Sequence, residues 1–130
     1  MNIRDQIIAQ NVEPTNAIKE IRNYLAGRAV GISRDEALLE EVLKVLFALS
    51  GIDEADVPED SLEFAKLVRT KFSQVKGELR EFYQNDDELL LDPESIFFVS
   101  TRLLQLKRVD DFDEVAALYQ AFIGNQVGNE

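Results

Sequence analysis

The chain has 130 residues, with no cysteine, histidine or tryptophan, and its 25 acidic and 14 basic side chains give a net charge of −11. That length suits one domain with a single sizeable core. The missing residue types exclude disulfide stapling, thiol and His-assisted serine catalysis, the usual zinc sites and the Glu-x-x-His pairs of helical di-iron proteins.

The charge is unevenly spread. Residues 1–34 carry five bases (Arg4, Lys19, Arg22, Arg28, Arg34) and three acids (Asp5, Glu13, Glu20), a net +2, which leaves −13 for the remainder. Phosphate neutralisation supplies most non-specific nucleic-acid affinity, so such a chain is a poor general DNA binder, and its N-terminal third is the face suited to DNA. No apolar run approaches the ~20 residues of a membrane span. The start, MNIRDQIIAQ, is interrupted by Asp5 and Gln6 and does not read as a secretory signal, so the expected compartment is the cytoplasm.

In chain order, Asn2–Gln10 places Ile3, Ile7 and Ile8 on one short helical stripe, which either docks on the rest or frays. Pro14 suits the first turn of a second helix that buries Ala17, Ile18, Ile21, Tyr24 and Leu25 and is expected to stop at Gly27. A connector, Gly27–Ile32, leads to Ser33–Ser50, SRDEALLEEVLKVLFALS. From Val42 to Leu49 this stretch is apolar everywhere except Lys44, the pattern of a helix surrounded by neighbours. Ser33 and Glu36 have capping-box spacing, Ile32 and Ala37 that of a hydrophobic staple, and Gly51 is placed to close the helix in the left-handed conformation. Phe47, counted in its core, is expected to cost about 3–5 kcal/mol when cut to alanine.

Gly51–Asp60, GIDEADVPED, reads as a solvated acidic loop with room for one helical turn. Asp60 and Glu63 then open a helix expected to reach Gln84, about 36 Å long. Ala65, Val68, Phe72, Val75, Leu79 and Phe82 form its heptad seam, and Gly77 falls inside it at a cost of about 1 kcal/mol. Asn85–Leu91 is an acidic turn followed by three leucines that can cover one end of the molecule. Asp92-Pro93-Glu94-Ser95 is a strong helix start for Pro93–Leu106, closed by Lys107, Arg108 and Val109. Asp111 and Glu114 mark a last helix presenting Phe112, Val115, Leu118, Tyr119, Phe122 and Ile123, ended by Gly124. No segment alternates as a strand would. The expected fold is all-α: five to six helices around a central apolar helix at about 34–50, one helical domain over 1–124, and a loose tail at 125–130.

Chemistry-bearing candidates are few. The acids of 53–63 lack the D-x-[DN]-x-[DN]-G spacing of a calcium loop and read as solvated charge. Glu40 with Lys44, and Lys76 with Arg80 near Glu81, read as surface pairs. Arg22, Arg28 and Arg34 bracket the glycine connector, and either two or three of them converge on a phosphate or a partner's carboxylates, or Arg34, in the first turn of a helix where the dipole disfavours it, simply reaches Glu13 or Glu20. No catalytic, metal-ligating or cofactor-binding residue stands out, and the heptad seam reads as core before it reads as a partner surface.

Three stretches resemble one family. Asn23–Leu38, NYLAGRAVGISRDEAL, resembles the start of the modification subunit of type I restriction systems, the N6-adenine DNA methyltransferases. Asp92–Ile96, DPESI, and Tyr119–Gly124, YQAFIG, resemble the last two helices of that subunit's N-terminal helical domain, so the likeness spans nearly the whole chain. In that family a Gly-Gln-Phe-Thr-Pro type segment follows and helps bind S-adenosylmethionine, and an Asn-Pro-Pro-Tyr/Phe motif holds the flipped adenine. Neither occurs here, and Gly128-Asn129-Glu130 falls where the first would begin. The resemblance therefore implies an accessory helical domain leading to a catalytic domain outside these residues. It implies no cofactor of its own, S-adenosylmethionine for the parent enzyme, and the specificity subunit and DNA as partners, with Arg22, Arg28 and Arg34 as the contact residues. The competing expectations are a free-standing interaction module that pairs through its heptad helix, and an acidic DNA mimic, although these acids cluster in loops and caps instead of phosphate-like rows.

Overall fold

The computed structural model of the protein describes residues 13–28, 35–79, 81, 83–84, 87–106 and 113–123. Within them the fold is all-α, with five α-helices and no strand: α1 (Pro14–Arg28), α2 (Asp35–Leu49), α3 (Ser61–Val75), α4 (Pro93–Leu106) and α5 (Glu114–Phe122). No helix among the described residues is long and apolar enough to cross a membrane. Expectations for Asn2–Gln10, the Ser33 cap, the Ile32 staple, Phe82, Lys107–Phe112 and the tail beyond Ile123 lie outside the described residues.

The apolar run in α2 does what its composition requires, with ten of its 15 residues buried. It packs against α3, α4 and α5. It is not alone at the centre: α4 buries nine of its 14 residues and packs against α1, α2 and α3. Among the described residues the core is thus a pair of packed apolar helices, α2 and α4, jacketed by three amphipathic ones. Ser95, Ser100, Thr101 and Gln105 are buried in α4 beside Ile96, Val99 and Leu103, which blurs its stripe at the sequence level.

Helix starts follow side-chain chemistry. Asp60 Oδ2 accepts from the Glu63 N–H at 3.1 Å, and Asp92 Oδ2 from the Ser95 N–H at 3.2 Å, each satisfying a first-turn donor with no partner inside its helix. Glu13 does the same for α1, its carboxylate accepting from the Asn16 N–H at 2.9 Å. For α5 the cap is Asp113, which accepts from the Ala116 N–H at 3.0 Å, two residues beyond the expected Asp111.

Helix ends differ more. α1 runs through Gly27 to Arg28, because a solvent-facing glycine weakens a helix by only about 1 kcal/mol. α2 ends without a left-handed glycine: the Gly51 and Ile52 N–H groups donate to Ala48 and Leu49 at 3.1 and 3.0 Å, tightening the last turn instead. α3 stops at Val75, about 22 Å long and not 36, and Gly77 lies in the turn that follows. Ala65, Val68 and Phe72 of the heptad seam are buried, with α3 packed on α2 and α4. Phe47 is only half-buried, edge-on to Tyr83 at 6.2 Å, so its truncation costs less than a core phenylalanine would.

Between α3 and α4 the chain returns as an extended strap. Leu89 and Leu91 enter the core at 2 % exposure each, while Leu90 between them stays 65 % exposed. Its backbone groups bond to side chains, since no strand among the described residues is there to meet them. Glu41 Oε1 accepts from the Leu90 and Leu91 N–H groups at 2.5 and 3.0 Å, and Lys44 Nζ donates to the Glu88 carbonyl at 2.9 Å. Lys76 Nζ and Arg69 Nη2 donate to the Asp87 and Leu91 carbonyls at 2.7 and 2.6 Å. Lys44 and Lys76 are therefore strap-holding groups; the expected neighbourhood of Lys76 and Arg80 lies outside the described residues, and Glu40 is not the partner of Lys44. Lys44 instead pairs with the buried Glu41 at 2.8 Å.

Candidate functional site

Burial decides which face of α1 is available. Ala17, Ile18, Ile21 and Leu25 are turned into the core, where α1 meets α4 and α5. On the α4 side the contact is closed: Tyr24 stacks on Phe98 with centroids 4.1 Å apart. Arg102 lies over the same Phe98 ring at 4.4 Å and donates from Nε to Glu20 at 2.7 Å.

On the α5 side the two helices leave a groove of about 470 Å³. Ile18, Ala117 and Ala121 make its apolar floor, and Thr15, Lys19, Arg22, Asn23 and Gln120 its polar rim. The gap follows from α5's sequence. Leu118 and Phe122 anchor that helix in the core, while Ala117 and Ala121, four residues apart on the side facing α1, are too short to fill the space.

Arg22 is the most constrained polar group there. Its Nη2 lies 3.9 Å from Asp35 Oδ2, with both side chains about one-third exposed, at 38 % and 34 %. Its Nε is buried with no acceptor. Lys19, one turn earlier and exposed, forms no ion pair among the described residues. In a chain of net charge −11 these two cations form a local exception, able to receive an anionic group.

Of the three arginines singled out in the sequence, Arg22 therefore lies on an open groove. The backbone of Arg28 forms the last residue of α1, and its side chain, like all of Arg34, lies outside the described residues. Arg22 reaches Asp35, while the alternative that Arg34 reaches Glu13 or Glu20 lies outside the described residues. Sequence reasoning missed Lys19 and Gln120 as groove residues. The available signals were the three-residue spacing of Lys19 and Arg22 and the Ala117–Ala121 pair, but nothing local shows that these faces oppose one another.

Among the described residues no group of three or more acidic side chains converges to hold a metal ion, and the 53–63 acids are split between a 3₁₀ turn at Glu54–Asp56 and the α3 cap. The Tyr83 hydroxyl is pushed well above the ordinary tyrosine range, first by burial and then by Glu40, Asp87, Glu41 and Tyr119, so it stays a neutral phenol. No family model, curated protein or solved structure matches this chain.

Proposed function

We propose that the chain is the N-terminal helical domain of the modification subunit of a type I restriction system, an accessory piece of an N6-adenine DNA methyltransferase. In this role it helps the enzyme engage DNA and the specificity subunit and performs no catalysis itself. The observation carrying the proposal is where the resembling stretches fall. Asn23–Arg28 is the end of α1, Asp92–Ile96 is the Asp-capped start of α4, and Tyr119–Ile123 is the close of α5, so all three lie at helix boundaries that a helical domain must specify. Arg22, Arg28 and Arg34 are the residues assigned to DNA or partner contact. The sequence contains neither the S-adenosylmethionine segment nor the adenine-holding motif of the family, so no residue here is assigned to the cofactor or to methyl transfer.

Reversing Arg22, Arg28 and Arg34 to Glu in the assembled enzyme is expected to weaken DNA binding, with the helical circular dichroism of the isolated chain unchanged. Titrating the chain separately with specificity subunit and with duplex DNA distinguishes a protein partner from nucleic acid. Unchanged DNA affinity of the triple variant, together with no complex in either titration, overturns the proposal.

A further inference from the structure

We propose that the α1–α5 groove is a docking site for an amphipathic helical segment of a protein partner, one that brings a carboxylate to Arg22 and an apolar side chain to the floor. This narrows the role proposed above by giving Arg22 a protein partner and not a phosphate, and it rests on that role only in placing α1 against a partner.

Three observations on this surface converge. Arg22 is 38 % exposed and its Nη2 reaches Asp35 only at 3.9 Å, beyond hydrogen-bond length, so the accessible end of the guanidinium keeps N–H donors for a carboxylate. Lys19 adds a second cation one helical turn away, on the same rim. Between them the floor of Ile18, Ala117 and Ala121 is apolar and recessed, and about 470 Å³ accommodates a large side chain.

A groove between two helices with this mixed lining fits helix-in-groove recognition, in which apolar anchors one turn apart seat in the cleft while a flanking charge fixes the register. It fits nucleic acid poorly. A duplex presents rows of phosphates and needs many cations at once, whereas two are offered here on a chain of net charge −11 that repels the rest of the backbone.

The test is an NMR titration of the isotopically labelled 130-residue chain with a capped helical peptide carrying Leu at i and i+4 and Glu at i+3. The same peptide with Gln for Glu, and a short DNA duplex, serve as comparisons. The acidic peptide is expected to shift amides of α1 and α5 saturably, binding at least tenfold more tightly than the Gln peptide. Arg22→Gln is expected to abolish that preference and Lys19→Gln to reduce it severalfold. The Gln peptide carries the same comparison from the ligand side, should Arg22→Gln disturb folding. Equal binding of the two peptides, no localised shifts, or preferential binding of the duplex overturns the groove assignment. The methyltransferase proposal then still stands or falls on the assembled enzyme.

Discussion

Glu41 sits in the middle of the most apolar helix at 2 % exposure. It is tolerated because both its oxygens are occupied, one by Lys44 Nζ and the other by two strap N–H groups. Glu41→Ala would strip the two strap N–H groups of their acceptor and leave the buried Lys44 ammonium with the Glu88 carbonyl but no counter-charge, so a loss of about 3–5 kcal/mol is expected in urea denaturation. The double change Glu41→Ala with Lys44→Met should cost less than the sum of the single changes, because it removes the orphaned charge as well. Tyr83 makes a second residue-scale prediction. Its phenol is raised in the folded state, so above pH ~10 the unfolded chain releases a proton that the folded chain keeps, and stability falls as pH rises. Replacing it with Phe should flatten that alkaline limb in denaturation midpoints measured from pH 8 to 11. Gly27 is the converse case: it is helical, and an added Cβ would meet nothing within 4 Å. Gly27→Ala is therefore expected to stabilise by up to about 1 kcal/mol, read as a rise in melting temperature. The sequence announces Lys44 as the exception in its run but not its role, since the groups it and Glu41 hold are 44 to 50 residues away in the chain.

At the scale of elements, starts are more legible than ends. A start is written in one side chain bonding a backbone N–H three residues on, which is why Asp60 and Asp92 can be recognised in advance. An end is set by where packing stops repaying order. The seam of α3 continues in sequence past Val75, yet the chain turns at Lys76–Glu78 and sends Tyr83 back against Phe72, edge-on at 5.2 Å. Phe72, at 1 % exposure, is thus the better test of the core: Phe72→Ala should cost about 3–5 kcal/mol, while half-buried Phe47 should cost ~1–2 kcal/mol when truncated. The strap gives a matched pair, with Leu91→Ala expected to lose about 2–5 kcal/mol and Leu90→Ala under about 0.5 kcal/mol in the same assay.

At the scale of the whole molecule, the described residues form two apolar helices held inside three amphipathic ones, with the backbone of the strap tied down by charged side chains. The sequence by itself determined the helical class, the apolar character of α2, and the capped starts of α3 and α4. These depend on 3.6-residue periodicity and on bonds spanning three residues, both local in the chain. Only the tertiary structure decided that α4 shares the centre with α2, that Glu41 and Lys44 are buried, and that Lys19 and Arg22 face Ala117 and Ala121 across a groove. Each of those facts depends on which helix lies beside which, a choice made by complementary packing between residues far apart in the chain and invisible to any local pattern.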